Sequence, residues 1–100
     1  MTYTVIASEQ FEEEYDLAAS YACSIWGDKM QVKHDARLEQ VWSILESFPE
    51  TFPRADYPDT DVRKVPFYGP MVLYYSIERA SETVWLVSLW DGRREGLPKL

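Results

Sequence analysis

Cysteine is almost missing from this chain: Cys23 stands alone. That excludes an intrachain disulfide, and no metal-ligand spacing surrounds the residue. The chain therefore suits a reducing compartment. No apolar run approaches the roughly 18 residues needed to span a bilayer. The opening MTYTVIASEQFEEE has neither the basic start nor the long apolar stretch of a secretion signal. The expectation is a cytoplasmic protein with no membrane contact. Basic residues are also in deficit, 10 against 17 acids, for a net charge of −7. Such a balance argues against general nucleic-acid binding, which needs a basic surface. Gly-rich phosphate loops, zinc spacings and nucleophile elbows are absent, and no cofactor or metal is expected.

What is present fits one globular domain spanning residues 1–100. Hydrophobic residues make up 46% and aromatic ones 15%. A few large rings fill a small core efficiently; a share of them left outside would form a patch for a partner. The charge is uneven. Residues 1–61 carry thirteen acids against four bases, whereas residues 62–100 carry six bases against four acids. The C-terminal part is the locally basic part, as a surface facing phosphate or an acidic partner would be.

Tyr3 to Ala7 is short and β-branched, which predicts a first strand. Ser8 follows as a helix N-cap, with Glu9, Glu12, Glu13 and Glu14 at the favoured end of the helix dipole. Phe11, Tyr15, Ala18, Ala22 and Ile25, with Ala19 and Trp26, form an apolar stripe at helical spacing. Leu17 and Tyr21 lie off that stripe, flanking the core or edging a partner site. Gly27 and Asp28 end the helix. Lys29 to His34 reads as a connector, which leaves His34 in solvent. Asp35 then caps a second helix whose inner face is Leu38, Val41, Trp42, Leu45 and Phe48, widened by Ile44. Two such helices joined closely predict an antiparallel hairpin. Pro49 to Asp61, with three prolines, is a loop.

Val62 to Phe67 predicts a strand at a sheet edge, because Pro66 cannot donate to a ladder. Met71 to Glu78 alternates, and Thr83 to Trp90 is apolar on both faces, as in a central strand covered on both sides. Arg79 to Glu82 is the turn between them. Asp91-Gly92 ends the last strand, with Arg93 and Arg94 just beyond. The order strand, helix, helix, strand, strand, strand predicts an α+β fold, with an antiparallel sheet packed by a two-helix hairpin.

In this order, four stretches resemble the RelE/ParE family of bacterial type II toxins. They are the second helix and its exit, LEQVWSILESFPETFP (Leu38 to Pro53), the basic strand start Val62-Arg63, the pattern Leu73-x-Tyr75-x-Ile77, and the ending Trp90-Asp91-Gly92-Arg93-Arg94. The resemblance implies a β-α-α-β-β-β toxin fold and a cognate antitoxin that silences it. It also implies either of two actions: ribosome-dependent cleavage of messenger RNA, or poisoning of DNA gyrase by contact alone. A non-toxic relative that only binds protein is the third outcome. The exposed-looking rings Tyr21, Tyr57, Tyr68 and Tyr74 would suit an antitoxin or a second copy in a homodimer.

RNA cleavage needs a base, an acid and cations around the phosphate. Arg63, Lys64, Arg93 and Arg94 are the candidate catalytic residues for that chemistry, provided the sheet gathers them. The same four suit solvated strand ends that discourage edge pairing. Proton donors are poorly supplied: the tail after Arg94 is EGLPKL, and Val72 stands where active relatives often have arginine. Binding without bond cleavage is therefore the expected action.

Overall fold

The computed structural model describes residues 2–100. Six elements follow in order: β1 (Thr4–Ala7), α1 (Glu9–Trp26), α2 (Lys29–Ser47), β2 (Val62–Pro66), β3 (Met71–Glu78) and β4 (Thr83–Asp91). They build one four-stranded sheet in the order β1-β4-β3-β2. The pairs β2–β3 and β3–β4 are antiparallel, and β1 lies parallel to β4, with Thr4 opposite Thr83. β4 is central and β2 lies at an edge, as the proline in it requires. Among the described residues no helix is long and apolar enough to cross a membrane.

α1 starts where its cap predicts. Ser8 has extended backbone, and its hydroxyl accepts from the Phe11 N–H at 3.1 Å. The helix stops at Gly27, whose φ of 88° suits a residue without a Cβ, and whose N–H donates to the Cys23 carbonyl at 2.8 Å.

Two residues, Gly27 and Asp28, separate the helices; the expected connector Lys29 to His34 is the first part of α2. Lys, Met and Gln are good helix formers. Met30 and His34 continue the inward stripe of Leu38, Val41 and Leu45, with His34 buried at 5% exposure. The reading of His34 as a solvent residue is therefore wrong: a polar side chain in the stripe broke the apolar period and hid the helix start. Asp35 does not cap. Its carboxylate accepts from Tyr15 Oη on α1 at 2.6 Å and from Gln31 Nε2 at 2.9 Å.

One face of the sheet meets the helix hairpin. Phe11, Val41, Leu45, Leu73, Tyr75 and Leu86 are at its centre. Burying each such side chain contributes about 1.5–3 kcal/mol. Ile25, Trp26 and Phe48, assigned to the inner faces by periodicity, lie 50%, 64% and 67% exposed, at the helix ends that overrun the sheet.

The other face is covered without a helix. The loop of residues 49–61 folds beneath it and places Ala55 and Tyr57 against Val62 and Tyr74. Tyr57 Oη donates to the Pro98 carbonyl, so the C-terminal segment is tied into the same layer. Tyr74, expected to be exposed, is thereby buried at 4%. A register shift between Tyr74 and Tyr75 leaves Val87 as an extra residue in β4, a bulge that bends the strand.

Candidate functional site

The four candidate cations do not come together. Arg63 lies opposite Tyr75, four residues along β3 from Met71, which faces Asp91. That is roughly 13 Å along the strands, before the chain continues to Arg93. The Arg63 guanidinium is also committed. Its Nε donates to Asp61 at 3.1 Å, and its Nη1 donates to the carbonyls of Glu50 and Phe52 at 3.1 and 2.9 Å. Asp61 additionally takes Arg79 Nη2 at 2.6 Å. Burial alone would raise the Asp61 carboxyl, but the hydrogen bonds and charges of Arg79 and Arg63 outweigh it and hold the group below its ordinary range. Arg63 therefore pins the 49–61 loop to the sheet. Lys64 points from the exposed part of the same edge strand. The gathering predicted from the sequence is absent because strand register, which local pattern does not set, separates β2's start from β4's end.

Arg93 and Arg94 sit at the other end, and glycine puts them there. A Cβ on Gly92 would stand 2.9 Å from the Pro70 carbonyl oxygen and 3.2 Å from Val72 Cγ2. The bare backbone passes instead, and its N–H donates to Pro70 O at 2.8 Å. Arg93 then folds back on Asp91, with Nε and Nη2 at 3.1 and 2.8 Å from the two carboxylate oxygens. This contact holds the Asp91 carboxyl down at about 2. Arg94 has no carboxylate partner among the described residues; its guanidinium lies over the Trp90 ring, 4.2 Å from the centroid, an arrangement that favours the cation.

Beside Arg93 and Arg94 runs an open groove of about 750 Å³ between α1, the start of α2 and the β2–β3 turn. Ala18, Ala22, Met71 and Leu89 line its depth, while Leu17 and Tyr21 stand on one lip at 72% and 65% exposure. Leu17 and Tyr21, read from the sequence as flanking the core or edging a partner site, lie in the lining of this groove. Glu14, also at its wall, accepts from Ser88 Oγ at 2.8 Å and from the Leu89 N–H at 3.2 Å, which fixes α1 to β4.

His34 closes one wall. Its ring lies 6.0 Å from Phe67, near parallel, and 5.1 Å edge-on from Tyr68. Nδ1 is buried and has no hydrogen-bond partner among the described residues. Burial lowers its pKa, and the charge of Asp35 opposes that only in part, so the ring is neutral at neutral pH. The spacing Met30, His34, Leu38 would have revealed this inward position had His34 been counted with the apolar stripe. No group of three His, Cys, Asp or Glu residues that could hold a metal occurs among the described residues. The groove can therefore grip apolar side chains and pair an anion with Arg94.

Comparison with known proteins extends this picture. A family model described as the ParE toxin of the type II toxin–antitoxin system parDE matches residues 5–96. No curated protein sequence matches the chain. Among solved structures, a chain from the chromosomal ParDE system of P. aeruginosa superposes with a TM-score of 0.71 at 10% identity, covering 88% of this chain and 94% of that one. A chain of the RelE–RelB complex of Pyrococcus horikoshii OT3 gives 0.63 at 20% identity, covering 94% and 99%. The intact E. coli RelBE complex gives 0.60 at 18%, covering 92% and 99%. At such identities the likeness shows a shared fold.

Proposed function

The chain belongs to the ParE toxin family of type II toxin–antitoxin systems, and from that premise we propose that it arrests bacterial growth by gripping a protein of the replication machinery, of the gyrase kind, without breaking a bond in RNA. A cognate antitoxin holds it silent by covering the gripping surface.

One observation carries this reading. The cations expected to surround a phosphate are divided between two ends of the sheet, and Arg63 is spent on Asp61 and two carbonyls. Phosphoryl chemistry depends on groups aimed together at the developing charge. The end that stays open offers Arg93 and Arg94 beside large exposed apolar residues. Exposed aromatic and aliphatic groups with an arginine rim are the makings of a protein-binding surface.

Induction of the chain without its antitoxin tests the reading. The expected outcome is growth arrest, with transcripts left intact in a translating extract and with DNA supercoiling by gyrase inhibited in vitro. Transcripts cut in the translating extract would transfer the function to ribosome-dependent RNA cleavage. Normal growth under induction would leave a non-toxic relative that only binds protein.

A further inference from the structure

Arg93 and Arg94 stand side by side after β4, and the fold treats them differently. Arg93 is spent within the chain. Its Nε donates to Asp91 Oδ1 and its Nη2 to Asp91 Oδ2, at 3.1 and 2.8 Å, and its backbone N–H donates to Oδ1 at 3.0 Å. Arg94 is equally exposed, yet it meets no carboxylate among the described residues and lies over the face of Trp90 instead. Two groups of one chemistry, one residue apart, are sorted to different neighbours.

Trp90 supplies half of the sorting. Its ring packs against the layer of Ala55, Val62 and Tyr74. Its Nε1 is buried with no hydrogen-bond partner among the described residues, a cost that phenylalanine or leucine there would not carry. The ring is therefore useful for its face and not for its N–H, and indole offers a cation the best face of any side chain. Asp91 supplies the other half. It lies three residues before Arg94, close enough for the arginine's charge to act on it. Left open, its carboxylate would compete with the ring for Arg94. Arg93 closes that option by occupying both oxygens.

We propose that Arg94 takes hold of a carboxylate on the protein target, that Trp90 positions it, and that the Asp91–Arg93 pair keeps Asp91 from capturing it. The proposal rests on the growth-arrest reading and adds the residue that makes the contact and the two devices that prepare it. A planar guanidinium grips a carboxylate through two parallel hydrogen bonds. The target is a protein and not a nucleic acid, because a net charge of −7 repels a phosphate backbone. The exposed Leu17 and Tyr21 on the same groove also suit a protein surface. Arg94 is held over its ring before the target arrives, so little side-chain freedom is lost on contact.

Two readouts on the full chain separate the arrangement from its use, with every variant checked for folding by thermal melting. The first needs no target: magnetic resonance relaxation at Arg94 Nε. That group should lose order in Trp90→Leu and keep most of it in Trp90→Phe, which retains a ring. The second is the inducer level that halves growth, together with binding of the purified chain to gyrase freed of DNA. Arg94→Ala should weaken both by about tenfold or more. Trp90→Leu should weaken them about threefold, and add nothing once Arg94→Ala is present, which a merely structural role would not give. Arg93→Ala opens Asp91 and should also weaken them; adding Asp91→Asn, which keeps the acceptor and removes the charge, should restore them. Arg94→Ala behaving as wild type would overturn the proposal, as would Trp90→Leu costing as much again without Arg94. An Arg93→Ala effect that is absent, or that Asp91→Asn fails to restore, would overturn the role given to the pair. Binding seen only with DNA present would put a phosphate in the contact and overturn the carboxylate. If Trp90→Leu does not fold, the Arg93 and Asp91 variants decide the matter. Arrest without gyrase binding would sink the gyrase reading alone, since the order of the variants in growth still decides this one. Normal growth with no binding by the wild type would overturn both.

Discussion

The two ends of the sheet are built from the same kinds of residue and do opposite things. At the end where β2 begins, Asp61 accepts from Arg63 and Arg79, Arg63 donates to two carbonyls of the 49–61 loop, and Tyr75 Oη donates to the Pro49 carbonyl at 2.6 Å. Asp61, Arg63 and Arg79 each have an answer within the chain, although Glu82 Oε2, in the turn at this end, is buried without a hydrogen-bond partner among the described residues. At the end where β4 finishes, among the described residues Arg94 finds no acid, His34 Nδ1 finds no donor or acceptor, and large apolar side chains face outward. The first end spends its arginines on holding a loop; the second leaves Arg94 over an aromatic ring. A count of bases in residues 62–100 cannot tell these uses apart, because the distinction lies in whether a carboxylate is within reach.

That contrast can be broken first at the closed end. Arg63→Ala should lower stability by about 2–3 kcal/mol, read from the urea midpoint, since it leaves a largely buried Asp61 short of a partner and two carbonyls unanswered. A change under 0.5 kcal/mol would show that the loop is held by its apolar contacts alone. The same cluster predicts acid sensitivity. Asp61 titrates lower in the folded chain than in the unfolded one, so its contribution is present above the unfolded pKa of 3.8 and is lost as pH falls below that. Asp61→Asn should flatten the stability profile in that range.

A milder test is Tyr75→Phe, which removes one buried hydrogen bond to Pro49 while keeping the ring. The expected cost is about 1 kcal/mol in the same measurement. The phenol of Tyr75 is pushed up to about 12, first by burial, so alkali below pH 11 should leave its ultraviolet absorbance unchanged in the folded protein.

At the open end the effects on stability shrink. His34 has a lowered folded pKa, so its contribution is complete above the unfolded value of 6.5 and declines as pH falls through it. Between pH 7 and pH 6 this single group should remove at most about 0.7 kcal/mol, and His34→Phe should abolish that slope. A slope of the opposite sign would mean that the ring is charged in the folded state. Arg94→Ala should change stability least, within about 0.5 kcal/mol, as expected of an exposed side chain with no acid partner. A larger loss would place Arg94 among the structural arginines and erase the contrast between the two ends.

Most of the architecture was legible because it follows from local periodicity. The cap at Ser8, the stop at Gly27, the edge position of β2 and the central position of β4 are all written in short patterns. The start of α2 was not legible, since His34 is a polar residue placed inward and periodicity counts only apolar ones. The burial of Tyr74 was hidden for a different reason: its cover comes from an irregular loop, whose path carries no repeat. The site was legible only as a set of residue types. Arg93 and Arg94 were singled out by their place after β4, but their separation from Arg63 depends on how β2, β3 and β4 align. That alignment is set by long-range pairing rather than by nearby sequence.

The parallel pairing of β1 with β4 has a consequence in time. Thr4 finds its neighbour at Thr83, 79 positions later, so the first strand has no strand to pair with until β4 has been synthesised. Closing so wide a loop slows folding relative to pairing between adjacent segments. A chain translated only as far as α2 thus lacks Met71 and Leu89, the sheet residues that line the groove's depth. The groove is therefore completed only once β4 has joined the sheet.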